Sequence, residues 1–274
     1  MKVIKFLAKV AAVFVVIGIV FSIISIAVDG RGSLSVINFN RYRDNSISQG
    51  VVEGEKVENI IVDFEIGEIN IGPSNNDNIQ FEYYGDVLDS FTFEFDEEEK
   101  TIKFENISNE SGFIRPRIGF WHSRVLNIRL PREMYYNINV DSNISAIDIN
   151  NINAKELILN SDIGAISVTS THVNYDFVAT SNVGAILLFS TTVDGLINIT
   201  SDVGAVDIAN VREPSSVNVQ SSVGAISIND LYSKDVTLRS EVGSIDFRNT
   251  DLTYIIENLV VNSTIGASSI NVGR

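Results

Sequence analysis

The chain has 274 residues, with 35 acidic and 20 basic side chains and a formal net charge of −15. This excess of negative charge repels nucleic acid and anionic lipid, so it excludes a general nucleic-acid-binding role. The absence of cysteine excludes disulfides, thiolate metal sites and cysteine nucleophiles. Because His122 and His172 are the only histidines, we expect no histidine-rich metal site and no cofactor.

The first predicted element is a membrane helix at residues 10–28. This run has 19 residues without a charge, and as a helix it spans ~28 Å, close to the ~30 Å hydrocarbon core of a bilayer. Lys2, Lys5 and Lys9 precede it, and the positive-inside rule therefore places the N-terminus in the cytoplasm. Residues 1–30 are predicted to be a cytoplasmic tip and a single transmembrane helix of a cell-membrane protein.

A cleaved signal peptide is the alternative for this N-terminal segment. Ser25 and Ala27 resemble the small residues of a cleavage site. The apolar run is longer than the ~7–15 residues typical of signal peptides, which favours a retained anchor. Both interpretations export residues 31–274, and we expect 31–57 to form a juxtamembrane spacer.

The second half of the chain repeats a motif of the form S-x-V-G-A-I-x-I. Its central glycine, here called the marker, recurs at intervals of 19 to 23 residues. Self-similarity at this period is typical of a solenoid, in which each coil buries its apolar face against its neighbours. The marker positions are Ser145, Gly164, Gly184, Gly204, Gly224, Gly243 and Gly266.

Apolar residues keep a fixed place relative to the marker. Five positions, namely seven, five and one before it and two and four after it, are apolar in 34 of 35 cases. This period-2 alternation of mostly β-branched residues predicts strands whose apolar positions, including Val203 and Ile226, face the interior. The parity changes at the marker, which predicts a glycine corner between two strands of each coil. The predicted fold is an all-β, single-stranded parallel β-helix with ~20-residue coils.

Three further columns accompany the repeat. Serine stands three residues before every marker, and the next column reads Asn143, Asp162, Asn182, Asp202 and onward, with charged and neutral side chains alternating. Stacked coils bring such residues ~4.8 Å apart, where like charges repel. A calcium ladder is the alternative, but the double-glycine nonapeptide of calcium-binding β-rolls is missing, and we expect no metal. Alanine follows most markers. The stacked alanines would form a flat strip that could receive a partner surface, or they mark a corner where only small side chains fit.

The same pattern occurs once near the start, around Gly67, with Phe64 in place of the serine. Strand-like stretches without the marker follow it, and 95–101 is predicted to be a hairpin turn or a wide corner. Residues 58–274 are therefore predicted to form one solenoid domain, with irregular coils over 58–140 and regular repeats over 141–274.

The order of these elements resembles a known family. A lysine-flanked membrane segment, an early coil containing GEINI, an irregular middle ending in IRLPREMYYNINV and tandem S-x-V-G-A-I-x-I coils follow one another. Over residues 58–274 this arrangement resembles the bacterial putative-adhesin family of single-stranded β-helix domains, which often carry an N-terminal anchor. The resemblance implies a bacterial cell-envelope protein with a non-catalytic domain, and it supplies no active-site residues.

One segment, GFIRPRIGFWHSR at 112–124, combines cationic and aromatic side chains. Arginines beside aromatic rings suit contact with a glycan, an anionic polymer or a protein partner. The alternative is a loop that caps one end of the solenoid and shields its strand edge. The candidate ligand- or partner-binding residues are Arg115, Arg117, Trp121, His122 and Arg124.

Three functions are compatible with these features. The favoured one is non-catalytic binding or adhesion at the cell envelope, with an envelope polymer or a membrane or surface protein as the partner. The second is a structural or stress-response component that binds a membrane partner or self-associates through the C-terminal coil, which shows no evident cap. The third, a carbohydrate-active enzyme, is disfavoured because Asp148, Asp207 and Asp246 lie two or three coils apart, ~10–15 Å, whereas glycosidase carboxylates lie ~5–9 Å apart.

Overall fold

The computed structural model describes residues 45–86, 90–107, 124–250 and 256–272. They lie in one compact unit, Asp44–Arg274. The membrane helix predicted for 10–28 lies outside the described residues. Among the residues that are described, no helix has the length and apolar character needed to cross a bilayer.

The described residues form strands joined in one sheet, together with one 3-10 turn at Gly54–Lys56. The strands before the regular repeats are β1 (Asn45–Glu53), β2 (Asn59–Pro73), β3 (Asn78–Asp86), β4 (Ser90–Asp96), β5 (Thr101–Ile107) and β6 (Val125–Leu130). Those of the repeats are β7 (Tyr136–Asn150), β8 (Asn153–Ile163), β9 (Ile166–Thr169), β10 (His172–Val173), β11 (Phe177–Val183), β12 (Ile186–Phe189), β13 (Thr192–Val193), β14 (Leu196–Val203), β15 (Val206–Arg212), β16 (Ser216–Val223), β17 (Ile226–Tyr232), β18 (Asp235–Val242), β19 (Ile245–Asn249), β20 (Asn258–Ile265) and β21 (Ser268–Val272).

Successive coils stack in parallel with equivalent residues in register. Ile197 of β14, for example, pairs with Phe177 in the preceding coil and with Val217 in the following one. The same register runs from β7 to β21 on both sides of the marker. The predicted β-solenoid of about seven turns with ~20-residue coils is therefore confirmed.

The core is a stack of apolar side chains contributed by every coil. In the coil of Gly204, Ile197 and Ile199 before the marker and Val206 and Ile208 after it are at most 1% exposed. Burying each such side chain contributes ~1.5–3 kcal/mol. Because a coil covers its neighbours on both sides, this stabilisation depends on continuous stacking rather than on any single coil.

The column directly before the marker does not face the interior, and this part of the sequence prediction is wrong. Ile163 is 45% exposed and Val203 is only partly buried. The serine two residues earlier takes the inward position instead, and Ser201 is fully buried. The strand keeps its alternation as far as the serine, and the bend that follows turns the next apolar side chain outward.

Several of these serines donate hydrogen bonds to backbone groups at the corner. Ser181 Oγ donates to the carbonyl oxygen of Gly164 at 3.3 Å, and Ser240 Oγ donates to that of Gly224 at 3.2 Å. Each bond joins a coil to the marker of the coil before it. A small hydroxyl side chain fits here because it fills the narrow corner and supplies a donor to a buried carbonyl.

The marker glycines bring the backbones of consecutive coils into contact. A Cβ atom added to Gly204 would lie 1.8 Å from the carbonyl oxygen of Gly184, a distance that no side chain tolerates. Gly243 has in addition a φ of 156°, which favours glycine. The predicted glycine corner is present, and close approach is the main reason for the residue.

A second corner lies six residues after the marker, and the sequence analysis did not identify it. Its residues adopt the left-handed region with φ between 51° and 56°, a conformation that Asn, Asp and Ser reach more readily than most residues. The column is occupied by Asn151, Ser170, Ser190, Asn210 and Asp230.

The N-terminal end of the solenoid is closed by strands of a different arrangement. Strands β5 and β6 pair in parallel with β2, while β4 pairs antiparallel with β5, so 95–101 forms a hairpin turn. Strand β3 pairs antiparallel with β6 and with β1. Strand β1 lies within 31–57, where we expected a spacer. The sheet extends into this segment because one edge of β3 pairs with β6 and the other pairs with β1.

Aromatic rings fill the space inside this end. The Phe81 ring stacks on the Phe93 ring with centroids 4.4 Å apart, and Tyr83 stacks on Phe91 at 4.1 Å. Stacked rings of this kind bury large apolar areas. The interior of the first coil is therefore covered, without a further regular coil beneath it.

Replacing Gly204 with alanine tests the corner. The added Cβ would collide with the carbonyl of Gly184, so the free energy of unfolding in a urea titration should fall by at least ~2 kcal/mol. Gly72→Ala is the matched control, because the nearest atom to its Cβ is 3.9 Å away, and a change within ~0.5 kcal/mol is expected. Equal effects of the two substitutions would contradict the close-approach explanation.

Candidate binding surface

The structure brings only one of the five predicted site residues into view. Arg115, Arg117, Trp121 and His122 lie outside the described residues, and their role stays a prediction. Arg124 lies directly before β6, and its carbonyl oxygen accepts a 2.9 Å hydrogen bond from the backbone N–H of Glu68.

Arg124 has a structural position at the first corner. A Cβ on Gly67 would lie 2.4 Å from the Arg124 carbonyl oxygen, so this carbonyl stands where the preceding marker's carbonyl stands in the regular coils. Its side chain is partly buried. The backbone carbonyl of Arg124 therefore packs against Gly67 at the first corner.

A continuous stripe of apolar side chains runs along the outside of the glycine corner. These residues, here called the corner stripe, precede the marker or its equivalent in each coil, pair in register, and are exposed or only partly buried. The pairing continues unbroken to the last described coil. The corner stripe consists of Ile66, Ile144, Ile163, Val183, Val203, Val223, Val242 and Ile265.

Polar ladders run beside the corner stripe. Asn182 Nδ2 donates to Asp162 Oδ1 at 2.9 Å, and Asn160 Nδ2 donates to Asp141 Oδ1 at 2.7 Å. These four side chains line a shallow depression in the surface together with Thr180. Each carboxylate is thus paired with an amide from the adjacent coil, which relieves the repulsion that stacked carboxylates would suffer.

The column three residues after the marker offers no carboxylate pair. Asp207 stacks between Leu187 and Ser227, and the next aspartate in the column, Asp246, lies two coils away at ~10 Å. Partial burial raises the pKa of Asp207, and a hydrogen bond with Ser227 opposes this shift. One such carboxyl group without a second at ~5–9 Å lacks the geometry of a glycosidase.

His172 lies in the short strand β10. Its Nε2 is 3.4 Å from Asp194 Oδ1, and its ring contacts the edge of Tyr135. Within the described ranges, no three histidine or acidic side chains lie close enough together to hold a metal ion. The arrangement gives His172 a structural role between adjacent coils.

Comparison with known families places the chain. Residues 57–271 match the family described as Toastrack DUF4097. The chain belongs to the toastrack family. The match covers strands β2 to β20, every marker corner and the whole corner stripe, and it indicates no catalytic family.

Solved structures of bacterial proteins are similar to this toastrack chain. A "putative adhesin" from Bacteroides fragilis is 17% identical, with a TM-score of 0.57, over 83% of this chain and 97% of that chain. A "putative adhesin" from Parabacteroides merdae is 15% identical over 82% of this chain and 96% of that chain, with a TM-score of 0.38.

A "putative lipid binding protein" from Parabacteroides distasonis is 12% identical, with a TM-score of 0.44, over 82% of this chain and 97% of that chain. No curated protein matches the chain by sequence. At 17% identity the likeness to the Bacteroides fragilis structure concerns the fold alone.

The corner stripe is the surface that sequence reasoning missed. Its residues lie at an odd spacing from the marker, as do the core positions before it, and this spacing predicted that they face the interior. One signal pointed the other way: Phe64 replaces the serine in the first coil, and it is fully buried. A large aromatic residue in the serine column indicates that this column, and not the next apolar one, faces the core.

The same substitution on either side of one corner tests this assignment. Val206 is fully buried, so Val206→Thr places a hydroxyl in an apolar core and should lower the free energy of unfolding by ~1–3 kcal/mol. Val203 belongs to the corner stripe, and Val203→Thr should change it by less than ~0.5 kcal/mol. If Val203→Thr lowered the free energy of unfolding as much as Val206→Thr, the column of Val203 would have to face the interior.

Proposed function

We propose that this toastrack protein is a membrane-anchored, non-catalytic binding module on the outer side of the bacterial cell membrane. Its partner is an envelope polymer or a membrane or surface protein, held along the coils rather than in a pocket. The observation that carries the proposal is the corner stripe. The N-terminal apolar run supports the anchor, and the family match supports the bacterial, non-catalytic class.

The corner stripe is unusual for a soluble surface. Eight apolar side chains stacked at ~4.8 Å form a band ~34 Å long, and contiguous apolar surface of this kind marks interaction sites on soluble proteins. The chain as a whole carries a net charge of −15, so an apolar band repeated in every coil contrasts with the rest of its surface.

The neighbouring columns suit a partner that is itself extended. On one side lie the amide and carboxylate ladders of Asn160 and Asp162, and on the other lie small residues such as Ala185 and Ala205. A flat apolar band beside hydrogen-bonding groups can accept an elongated chain with one apolar face and polar groups at its edge. Since the coils repeat, contacts made in one coil recur in the next.

A structural or regulatory envelope role is the second candidate. The observation that favours it is the last described coil, whose edge is exposed and carries no charge from residue 258 to 272. Self-association through that edge would serve a structural component, and it is compatible with partner binding along the corner stripe.

Lysines placed in the corner stripe test the binding role. The triple variant Val183→Lys, Val203→Lys and Val223→Lys puts charges on the apolar band while the core remains intact. Retention of the full-length protein by purified cell-wall sacculi, or by detergent-solubilised membrane proteins, should fall at least ~tenfold, because truncating or charging interface anchors commonly costs more than ~1.4 kcal/mol.

The matched control puts three lysines in the same coils but on the outward column six residues before the marker, outside the polar ladders. It carries Val178→Lys, Asn198→Lys and Asn218→Lys, which pair in register, and it should bind as the wild type does. Thermal unfolding of both variants should match that of the wild type. If the stripe variant binds as well as the control, the corner stripe is not the binding surface.

A further inference from the structure

The two ends of the described solenoid differ in how their interiors are covered. At the N-terminal end the inward residues Ile102, Phe104 and Leu126 are fully buried. In the last described coil, Ile270 is 52% exposed, although its register partner Phe247 is fully buried. The apolar interior is thus closed at one end and open to water at the other.

The last coil also has a free strand edge. Strand β20 pairs with β18 on one side, and no other described strand pairs with it. Its backbone N–H and C=O groups on the outer side are therefore available to another strand. Strand β21 likewise pairs with β19 alone among the described strands.

Charge distinguishes this edge from that of β4 at the opposite end. Residues 258–272 contain no charged side chain and no proline, whereas soluble proteins usually guard an exposed edge strand with charges, prolines or short length. The preceding coil carries Asp235, Arg239 and Glu241. At the N-terminal end the edge strand β4 carries Glu94 and Asp96 and leads into an acidic turn.

We propose that two copies of the chain pair through their β20 edges in an antiparallel, two-fold symmetric dimer. The uncharged edge is where two molecules of net charge −15 approach with least repulsion. Pairing there covers both open interiors and both free edges at once. Because a two-fold contact uses the same edge of both copies, the assembly closes at two and does not grow into a filament. This inference is independent of the binding role of the corner stripe.

Single cysteines report this contact directly, because the natural chain contains none. Val260→Cys, Asn262→Cys and Thr264→Cys sample exposed positions along β20 in the full-length protein, oxidised in its membrane. In an antiparallel pair, a residue near the two-fold axis lies opposite the same residue of the other copy. Their Cβ atoms are ~4.5–5.5 Å apart, within reach of a disulfide. At least one variant should form a covalent dimer of twice the chain mass.

The controls are outward residues one coil further in. Thr237 and Arg239 pair with Val260 and Asn262, and Glu241 lies between the residues that pair with Ser263 and Ile265. In the dimer each control residue lies at least ~14 Å from the same residue of the other copy, too far for a disulfide. Their cysteine variants should remain monomeric on a non-reducing gel. Absence of cross-linking at all three β20 positions, or equal cross-linking of the controls, would overturn the proposal.

A two-cysteine variant separates a closed dimer from a filament. Thr92→Cys on β4 combined with Asn262→Cys on β20 would join many copies into a ladder if molecules stacked head to tail. The symmetric arrangement predicts no species larger than a dimer. A ladder of higher species would overturn the two-fold symmetry.

A charge on the edge should dissociate the pair without disturbing the fold. Val260 is 49% exposed. Val260→Glu, combined with the cysteine at 262 or 264 that cross-links, should reduce the amount of covalent dimer at least ~tenfold. Thr237→Glu, one coil further in, should leave the amount of dimer unchanged. The stripe variant carrying lysines at 183, 203 and 223 should still cross-link, so failure of the binding role would not imply failure of the dimer.

Discussion

The contact between each marker glycine and the carbonyl of the preceding marker is the constraint on which the coil geometry depends. Gly184, Gly204 and Gly224 lie so close to the backbone beneath them that a Cβ would meet the carbonyl oxygen at 1.8 Å. Such contact sets where each coil bends, and the serine beside it fills the corner. Once every coil bends at the same residue, register between strands follows without further specification.

The same bend decides which side chains meet water. A straight strand would carry its alternation through to the residue before the marker, and Val203 would then be buried. The bend after Ser201 leaves the serine as the last inward residue of its strand and turns the apolar residue outward. The corner stripe is thus a consequence of corner geometry. Because every coil bends at the same place, every coil contributes one apolar side chain to it.

Much of the fold follows from the sequence because the repeat samples one environment several times. The strands, their register, the core positions after Gly204 and the glycine corner were predictable from periodicity, and a hairpin turn was one of the two alternatives for 95–101. The outward direction of the residue before the marker was not predictable, because alternation states which residues share a face only while the strand is straight. The left-handed column containing Ser190 and Asn210 was missed for another reason. Its residues differ in type, and they share only their backbone angles.

A surface made of identical steps has chemical consequences. Catalysis requires different groups to converge on one point, whereas the coils bring like residues into columns ~4.8 Å apart. Asp207 illustrates this, since its nearest stacked neighbours are Leu187 and Ser227, not a second carboxylate. The columns instead repeat one contact many times along a line, so weak contacts add over the length of an extended partner. This geometry favours recognition of a long molecule over conversion of a small one.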